Sequence, residues 1–345
     1  MPSPIPIRNI YYLLCYAWNR LKEGELVDVG KVGTTELADL FATVLINGIK
    51  SLHKRGMELG YEAVRDSIAG VRGKVDLLGT ESRFLRQHGR ALCTFDELTS
   101  NTPANRILKS TIQRLYRTTA LDRRLASELR HVIRYFASVD TCTLNSAAFS
   151  EVRLHGNNRQ YKFLLHICQL VMSCCIPDKD GTQYRFRDFV QDEAIMPKLF
   201  EDFIFNFYRL HLSEANIKRE YITWRASSLV DPELRHLPAM LTDISIRTPG
   251  RTLIIDTKFY REAMQSRFGK KTVQSSNLYQ IFAYLKNLEV NDGMDARAEG
   301  LLLYPTVDHS IRLKYDVMGH SIGVCTVDLS RQWHEIDNEL RSLVQ

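Results

Sequence analysis

Asp243, Asp256 and Lys258 are the residues of this chain whose types and spacing point most directly to chemistry. They lie in "LPAMLTDISIRTPGRTLIIDTKFY", Leu237 to Tyr260, where apolar β-formers flank Thr248-Pro249-Gly250-Arg251. Pro before Gly is a turn signal, and the alternation on both sides of it predicts a β-hairpin. If Thr248 faces Arg251, the register carries Asp243 opposite Asp256 on one face of the sheet. Lys258 falls on that face too, two residues on. Directly opposed side chains stand only about 4.5–5.5 Å apart at Cβ, and like charges so placed repel. A positive charge belongs between them. A hard divalent cation held by one or two carboxylates, its shell completed by water and substrate phosphate, is the usual answer. A one-residue bulge at the turn would break this register.

The ordinary alternative is that these are solvated charges near strand ends, since an isolated Asp-x-Lys is common in a chain of this length. Three features lift the set above that. The charges interrupt "LIID" and "MLTDI", where burial is expected; they converge in the computed register; and a polar helix follows. "SSNLYQIFAYL" carries an N-cap signal at Ser275 or Ser276, and Leu278, Ile281, Phe282 and Leu285 recur at helical spacing. Gln280 and Tyr284 are one turn apart and share a side of that helix.

Other elements must hold this hairpin in place. A helix around Ile10, with Leu13, Leu14, Ala17 and Leu21 on one face, opens the pattern. A helix near Glu36 to Arg55, a strand pair around Gly70 to Thr80 and two basic helices spanning Pro103 to Ala137 follow. "IPDKDGTQYR", Ile176 to Arg185, then interrupts two apolar patterns with Pro, Gly and charge, which sets a boundary between regions 1–180 and 181–345. Beyond it come a helix at Met196 to Leu212, the hairpin, the Gln280 helix, strands "EGLLLYP" and "GVCTVDL", and a closing helix. The order predicts an α/β (α+β) chain: a mixed helix and strand region, then a mixed sheet flanked by helices.

Composition narrows the classes. With 345 residues, 44% hydrophobic and 25% charged, the chain has the balance of a globular protein with room for two cores. A net charge of +6 is compatible with a polyanionic partner and equally with none. The arginines and lysines between Arg106 and Arg134 spread around their helices, so they define no nucleic-acid stripe. Seven cysteines, an odd number without a CxxC pair, point to a reducing cytoplasm, with Cys174 and Cys175 as core residues. "IYYLLCYAW" and "FLLHICQLVMSCCI" read as packed helices and not as an export signal or membrane span. "RFGKKT" lacks the first glycine of a P-loop, which would fall at Met264, so this chain is expected not to hydrolyse nucleotide.

Asp243, Asp256-Thr257-Lys258 and Gln280-x-x-x-Tyr284 resemble the PD…(D/E)xK core of RecB-like nucleases. "RNIYYLLCYAW", "GVRGKVDL", "FDELTSNTPANRILKSTI", "LFEDFIFNFY", "NLYQIFAYL" and "LLLYP" are more specific. Together they resemble, across nearly the whole chain, the McrC family of endonuclease subunits of modification-dependent restriction systems. The resemblance implies a restriction-endonuclease-like domain at 181–345 that hydrolyses DNA carrying modified cytosine. It also implies Mg²⁺ held by Asp243 and Asp256, with the Thr257 carbonyl as a further ligand. Lys258 would orient the attacking water, Glu201 would serve as an auxiliary acid, and Gln280 and Tyr284 would brace the site or contact the phosphate backbone. It further implies that GTP is bound by a partner, a McrB-like AAA+ GTPase hexamer, which region 1–180 contacts and activates. Arg72, Lys74, Arg159 and Lys162 are the candidates for that activation. A second reading is a non-catalytic activator or adaptor with a vestigial nuclease fold; the intact Asp, Asp, Lys set speaks against it.

Overall fold

A computed structural model describes residues 5–19, 36–119, 121–154, 159–180, 182–259, 265–267, 270–291, 293–306 and 310–344. The strand Arg251–Thr257 is buried along nearly its whole length, which requires neighbours on both edges and cover on both faces. It sits inside a six-stranded sheet in the order Arg312–Val317, His320–Asp328, Glu299–Thr306, Arg251–Thr257, Ile244–Thr248, Asn216–Lys218. The pairs it makes with Glu299–Thr306, and that strand with His320–Asp328, are parallel, and the others are antiparallel. The sheet is therefore mixed, as the element order predicts. The strand Arg312–Val317 is not among the expected elements. It is a largely exposed edge carrying Arg312, Lys314 and Asp316, charges that blunt an edge and also hide it from an apolar pattern.

Parallel neighbours need a crossover, and the helix Ser275–Leu288 lies in it. Ile281, Tyr284, Leu285 and Leu288 pack there with Ile254, Leu302, Tyr304, Ile322 and Val324 of the sheet. Gly300 permits this approach, since a Cβ there would lie 2.9 Å from Ile281 Cδ1. The N-cap of the helix is Gln274, one residue before the first of the expected serine caps, and no side chain caps it. The helix Ile195–His211 buries Phe200, Phe203, Ile204 and Phe207, and the Phe200 ring stands 6.0 Å from that of Phe259, just past the hairpin.

The chain divides into two compact units: Glu36–Arg187, and Met1–Thr35 with Asp188–Gln345. This differs from a single boundary at residue 180. The helix Ile7–Ala17 packs in the sheet's unit, where Tyr16 meets Phe203 and Phe207 with ring centroids 5.8 and 5.4 Å apart. Asn9 in that helix donates to the carbonyls of Leu329 and Arg331 at 2.8 and 2.7 Å. Leu21, expected on the same helix face, lies outside the described residues. The hairpin of Cys175–Pro177 with Tyr184–Phe186 carries the other boundary past residue 180.

The unit Glu36–Arg187 has its own helical core, with Phe41, Leu45, Ile107, Leu108, Ile112, Phe163, Leu164 and Ile167 fully buried. Its helices Leu37–Arg55, Pro103–Tyr116, Arg123–Val132 and Arg159–Cys174 agree with the sequence pattern. Its strands do not. In place of a pair within Gly70 to Thr80, Gly60–Ala69 pairs antiparallel with Arg90–Thr99 over ten rungs, and only Lys74–Val75 joins them on the other edge. Gly70 and Gly73, at φ +87° and +65°, break the local chain, and Leu77–Ser82 is a short helix whose N-cap Asp76 accepts from Gly79 N at 2.8 Å. The result is an arm with Tyr61, Val71, Leu77, Leu78, Phe84 and Leu98 all exposed.

Several charges of the basic helices serve contacts within this unit. Arg106 donates to Asn101 at 2.9 Å, and Arg114 lies 5.1 Å from the Tyr184 ring centroid. Arg130 binds the Tyr116 hydroxyl. All seven cysteines are free thiols, and Cys174 and Cys175 are buried. Among the described residues no helix is long and apolar enough to cross a membrane.

Candidate active site

The hairpin pairs Arg251 with Thr248 and continues to Ile255 with Ile244, so the expected register holds and the turn contains no bulge. Gly250 stays out of the left-handed region, which excludes a type II turn, and the two strands pair from Thr248 and Arg251 onward. Extending that register by one position sets Asp256 against Asp243. The ladder ends before that rung, and Asp243 occupies a bend. Its Oδ2 instead accepts from the Thr257 backbone N–H at 2.8 Å and from the Thr257 hydroxyl at 2.9 Å. One carboxylate oxygen is thereby tied to the neighbouring strand, which orients the whole group.

Asp256 is fully buried. Lys258 Nζ stands 2.8 Å from its Oδ2, but neither Asp256 oxygen accepts a hydrogen bond of good geometry; the approach is an ion pair without alignment. A buried carboxylate left this way is costly. Burial pushes the Asp256 carboxyl up to about 7, against the opposing pull of Lys258, with Asp243 and Glu201 adding to the rise. These buried oxygens, Oδ2 ion-paired with Lys258 and neither holding a hydrogen bond, are the feature that fits a hard cation.

Tyr284 joins the site from the crossover helix. Its hydroxyl accepts from Gln280 Nε2 at 2.7 Å and donates to the Leu241 carbonyl at 3.1 Å, so the pair expected on one helix side forms a chain ending two residues before Asp243. Burial raises the Tyr284 phenol, and Asp256 and Asp243 add to the rise. The brace is thus close enough to feel both carboxylates. Glu201 is near enough to act on Asp256, but its Oε1 already meets Lys198 Nζ at 2.9 Å and Arg219 at 3.0 Å. Among the described residues no group of three or more His, Cys, Asp or Glu side chains is placed to hold a metal ion. Arg219 escapes the sequence pattern, because nothing local to "KREY" shows that it reaches back to a helix eighteen residues earlier.

The four candidates for partner activation fall on two elements of the other unit. Arg72 and Lys74 are exposed on the arm. The Arg72 guanidinium lies 4.4 Å from the Phe95 ring centroid and 3.5 Å from Glu97 Oε1. Lys162 is exposed on the helix Arg159–Cys174, and the Arg159 side chain lies outside the described residues. The exposed apolar residues of the arm, Leu77, Leu78 and Phe84, carry no periodic signal that the sequence could have revealed.

A family model described as a McrBC 5-methylcytosine restriction system component matches residues 8–305. The type IV methyl-directed restriction enzyme EcoKMcrBC of Escherichia coli K12 is 37% identical over 336 residues, spanning 97% of this chain and 96% of the relative. Among solved structures, a refined half-complex from a tetradecameric assembly of Thermococcus gammatolerans McrB AAA+ hexamers with bound McrC superposes at TM-score 0.61. It is 16% identical and covers 98% of this chain and 75% of that one. A second structure of the Thermococcus gammatolerans McrBC complex reaches TM-score 0.45 at 20% identity over 60% of this chain and 59% of that one.

Proposed function

Because the chain belongs to the McrBC 5-methylcytosine restriction family, we propose that it is the nuclease subunit of a GTP-dependent, modification-dependent restriction complex. It hydrolyses DNA phosphodiester bonds and stimulates a McrB-like AAA+ GTPase. The observation that carries the nuclease reading is the Asp256 carboxylate, fully buried and without a hydrogen-bonded oxygen, one residue from the Thr257 that holds Asp243.

Asp243 and Asp256 would hold Mg²⁺, with the Thr257 carbonyl as a further oxygen. Bound there, the ion supplies Lewis-acid polarisation of the scissile phosphate and a more acidic water. Thr257 contributes by fixing Asp243 through two hydrogen bonds, so the carboxylate needs no reorganisation to bind. Lys258 orients the attacking water and carries positive charge toward the pentacoordinate phosphate, as preorganised cations do at developing negative charge. Gln280 and Tyr284 hold the segment that leads into Asp243. Glu201 acts at a distance, through its charge on Asp256.

The GTPase partner is supported by the McrB hexamers with bound McrC in the similar solved structure. The exposed arm, with Arg72, Lys74 and its apolar residues Leu77, Leu78 and Phe84, is the surface we assign to that partner.

Asp256→Asn tests the site. A neutral amide is a far poorer ligand for a hard cation, so the variant should lose DNA cleavage while its complex retains GTP turnover. Near-normal cleavage by the purified variant complex would sink the assignment.

A further inference from the structure

The ladder of the arm ends at the pair Gly60 and Thr99. Just beyond that last rung, both legs meet one buried side chain. Asn105, fully buried in the helix Pro103–Tyr116, donates through Nδ2 to the Glu58 carbonyl at 3.1 Å and to the Ser100 carbonyl at 2.8 Å. Its Oδ1 accepts from the Tyr161 hydroxyl at 2.8 Å, and that hydroxyl accepts from the Glu58 backbone N–H at 2.9 Å. Thr102, the cap of the same helix, accepts from Asn105 N at 3.3 Å and donates to Glu58 Oε2 at 2.9 Å. The two legs of the arm and two helices of the body converge on a single amide, with both donors and the acceptor of that amide in use.

Hydrogen bonding of the helix terminus does not require this arrangement, because Thr102 alone caps it. An apolar residue at 105 would take this partner from the Glu58 and Ser100 carbonyls and from the Tyr161 hydroxyl, so the amide holds all three groups together. What a fully satisfied buried network supplies is a unique geometry. Here that geometry is the direction in which the two strands leave the helical body.

We infer that Asn105, with Tyr161, is a positioning residue that fixes the arm's exit direction and thereby sets the turnover rate of the GTPase the arm contacts. The inference rests on the reading that the arm engages that partner. The clamp acts on rate more than on affinity. The arm's exposed residues remain available for contact when it is loosened, while the groups they act on are held less accurately.

The test uses the full chain with its AAA+ GTPase, measuring GTP turnover against chain concentration. Asn105→Ala and Tyr161→Phe should lower the maximal stimulated rate by roughly five-fold or more, within the about 10²-fold that a 1 Å misplacement can cost. The concentration giving half-stimulation should change far less. Leu78→Asp, at a side chain 86% exposed, serves as the control on the arm itself. If Leu78→Asp changes neither rate nor half-stimulating concentration, the arm is not the contact, and both readings fall. If Leu78→Asp impairs stimulation while the two clamp variants reach the wild-type maximal rate at saturation, the clamp inference alone is overturned. Tyr161→Phe keeps the ring and removes only the hydroxyl, so it decides the matter should Asn105→Ala fail to fold.

Discussion

At the scale of single residues, the ionisation of Asp256 is the property on which the proposed metal site depends. Its carboxyl is raised from an ordinary value of 3.8 to about 7 by burial, so between roughly pH 4 and 7 the folded chain holds a proton that the unfolded chain has released. Stability falls with rising pH wherever the folded state binds more protons, and each pKa unit corresponds to about 1.4 kcal/mol. Without divalent cations, the melting temperature of the wild-type chain should therefore drop between pH 5 and 7 more steeply than that of Asp256→Asn, which has no proton to lose. Adding Mg²⁺ at pH 7.5 should raise the wild-type melting temperature and leave the variant nearly unmoved. Equal pH slopes for the two proteins would show that Asp256 ionises as freely folded as unfolded. The two aspartates and the lysine were legible in the sequence because a period of two and a tight turn are local properties. The pairing of Glu201 with Arg219 was not, because it joins a helix to a residue just past the strand Asn216–Lys218 by packing.

At the scale of elements, the crossover helix serves the sheet and the site together. Ile281, Leu285 and Leu288 hold it on the sheet, and Tyr284 on the same helix bonds the Leu241 carbonyl. Tyr284→Phe keeps the packing and removes that bond, a loss worth about 0.5–1.5 kcal/mol in stability. Catalysis should suffer more than stability, because the freed segment leads into Asp243. Single-turnover cleavage measured beside thermal melting separates the two, and a cleavage rate that falls no more than the folded fraction would refute the bracing role. The expected helices were found because apolar residues recur every three to four positions. The arm was missed because most of Gly60–Ala69 is exposed. A strand with little burial shows little alternation, and its partner Arg90–Thr99 lies across an intervening helix and three left-handed glycines, Gly70, Gly73 and Gly89.

At the scale of the whole molecule, each of the two compact units has its own buried core, and the proposed functions fall one to each. A fragment spanning Glu36 to Arg187 should fold and raise the partner's GTP turnover without cutting DNA. A fragment ending near Ile176 would sever the hairpin Cys175–Pro177 with Tyr184–Phe186 and should be less stable. If the longer fragment is folded by circular dichroism and binds the GTPase yet leaves its turnover unchanged, activation does not reside in this unit. The amino-acid order by itself determined the hairpin register, the crossover helix, the mixed sheet and the convergence of Asp243, Asp256 and Lys258, because turn chemistry and periodicity act over a few residues. Tertiary structure alone decided that Ile7–Ala17 joins the distant sheet, that Glu201 is held by Arg219, and that Asn105 gathers both legs of the arm. Those choices depend on which buried surfaces and unsatisfied polar groups meet in space, and no local pattern in the chain encodes that.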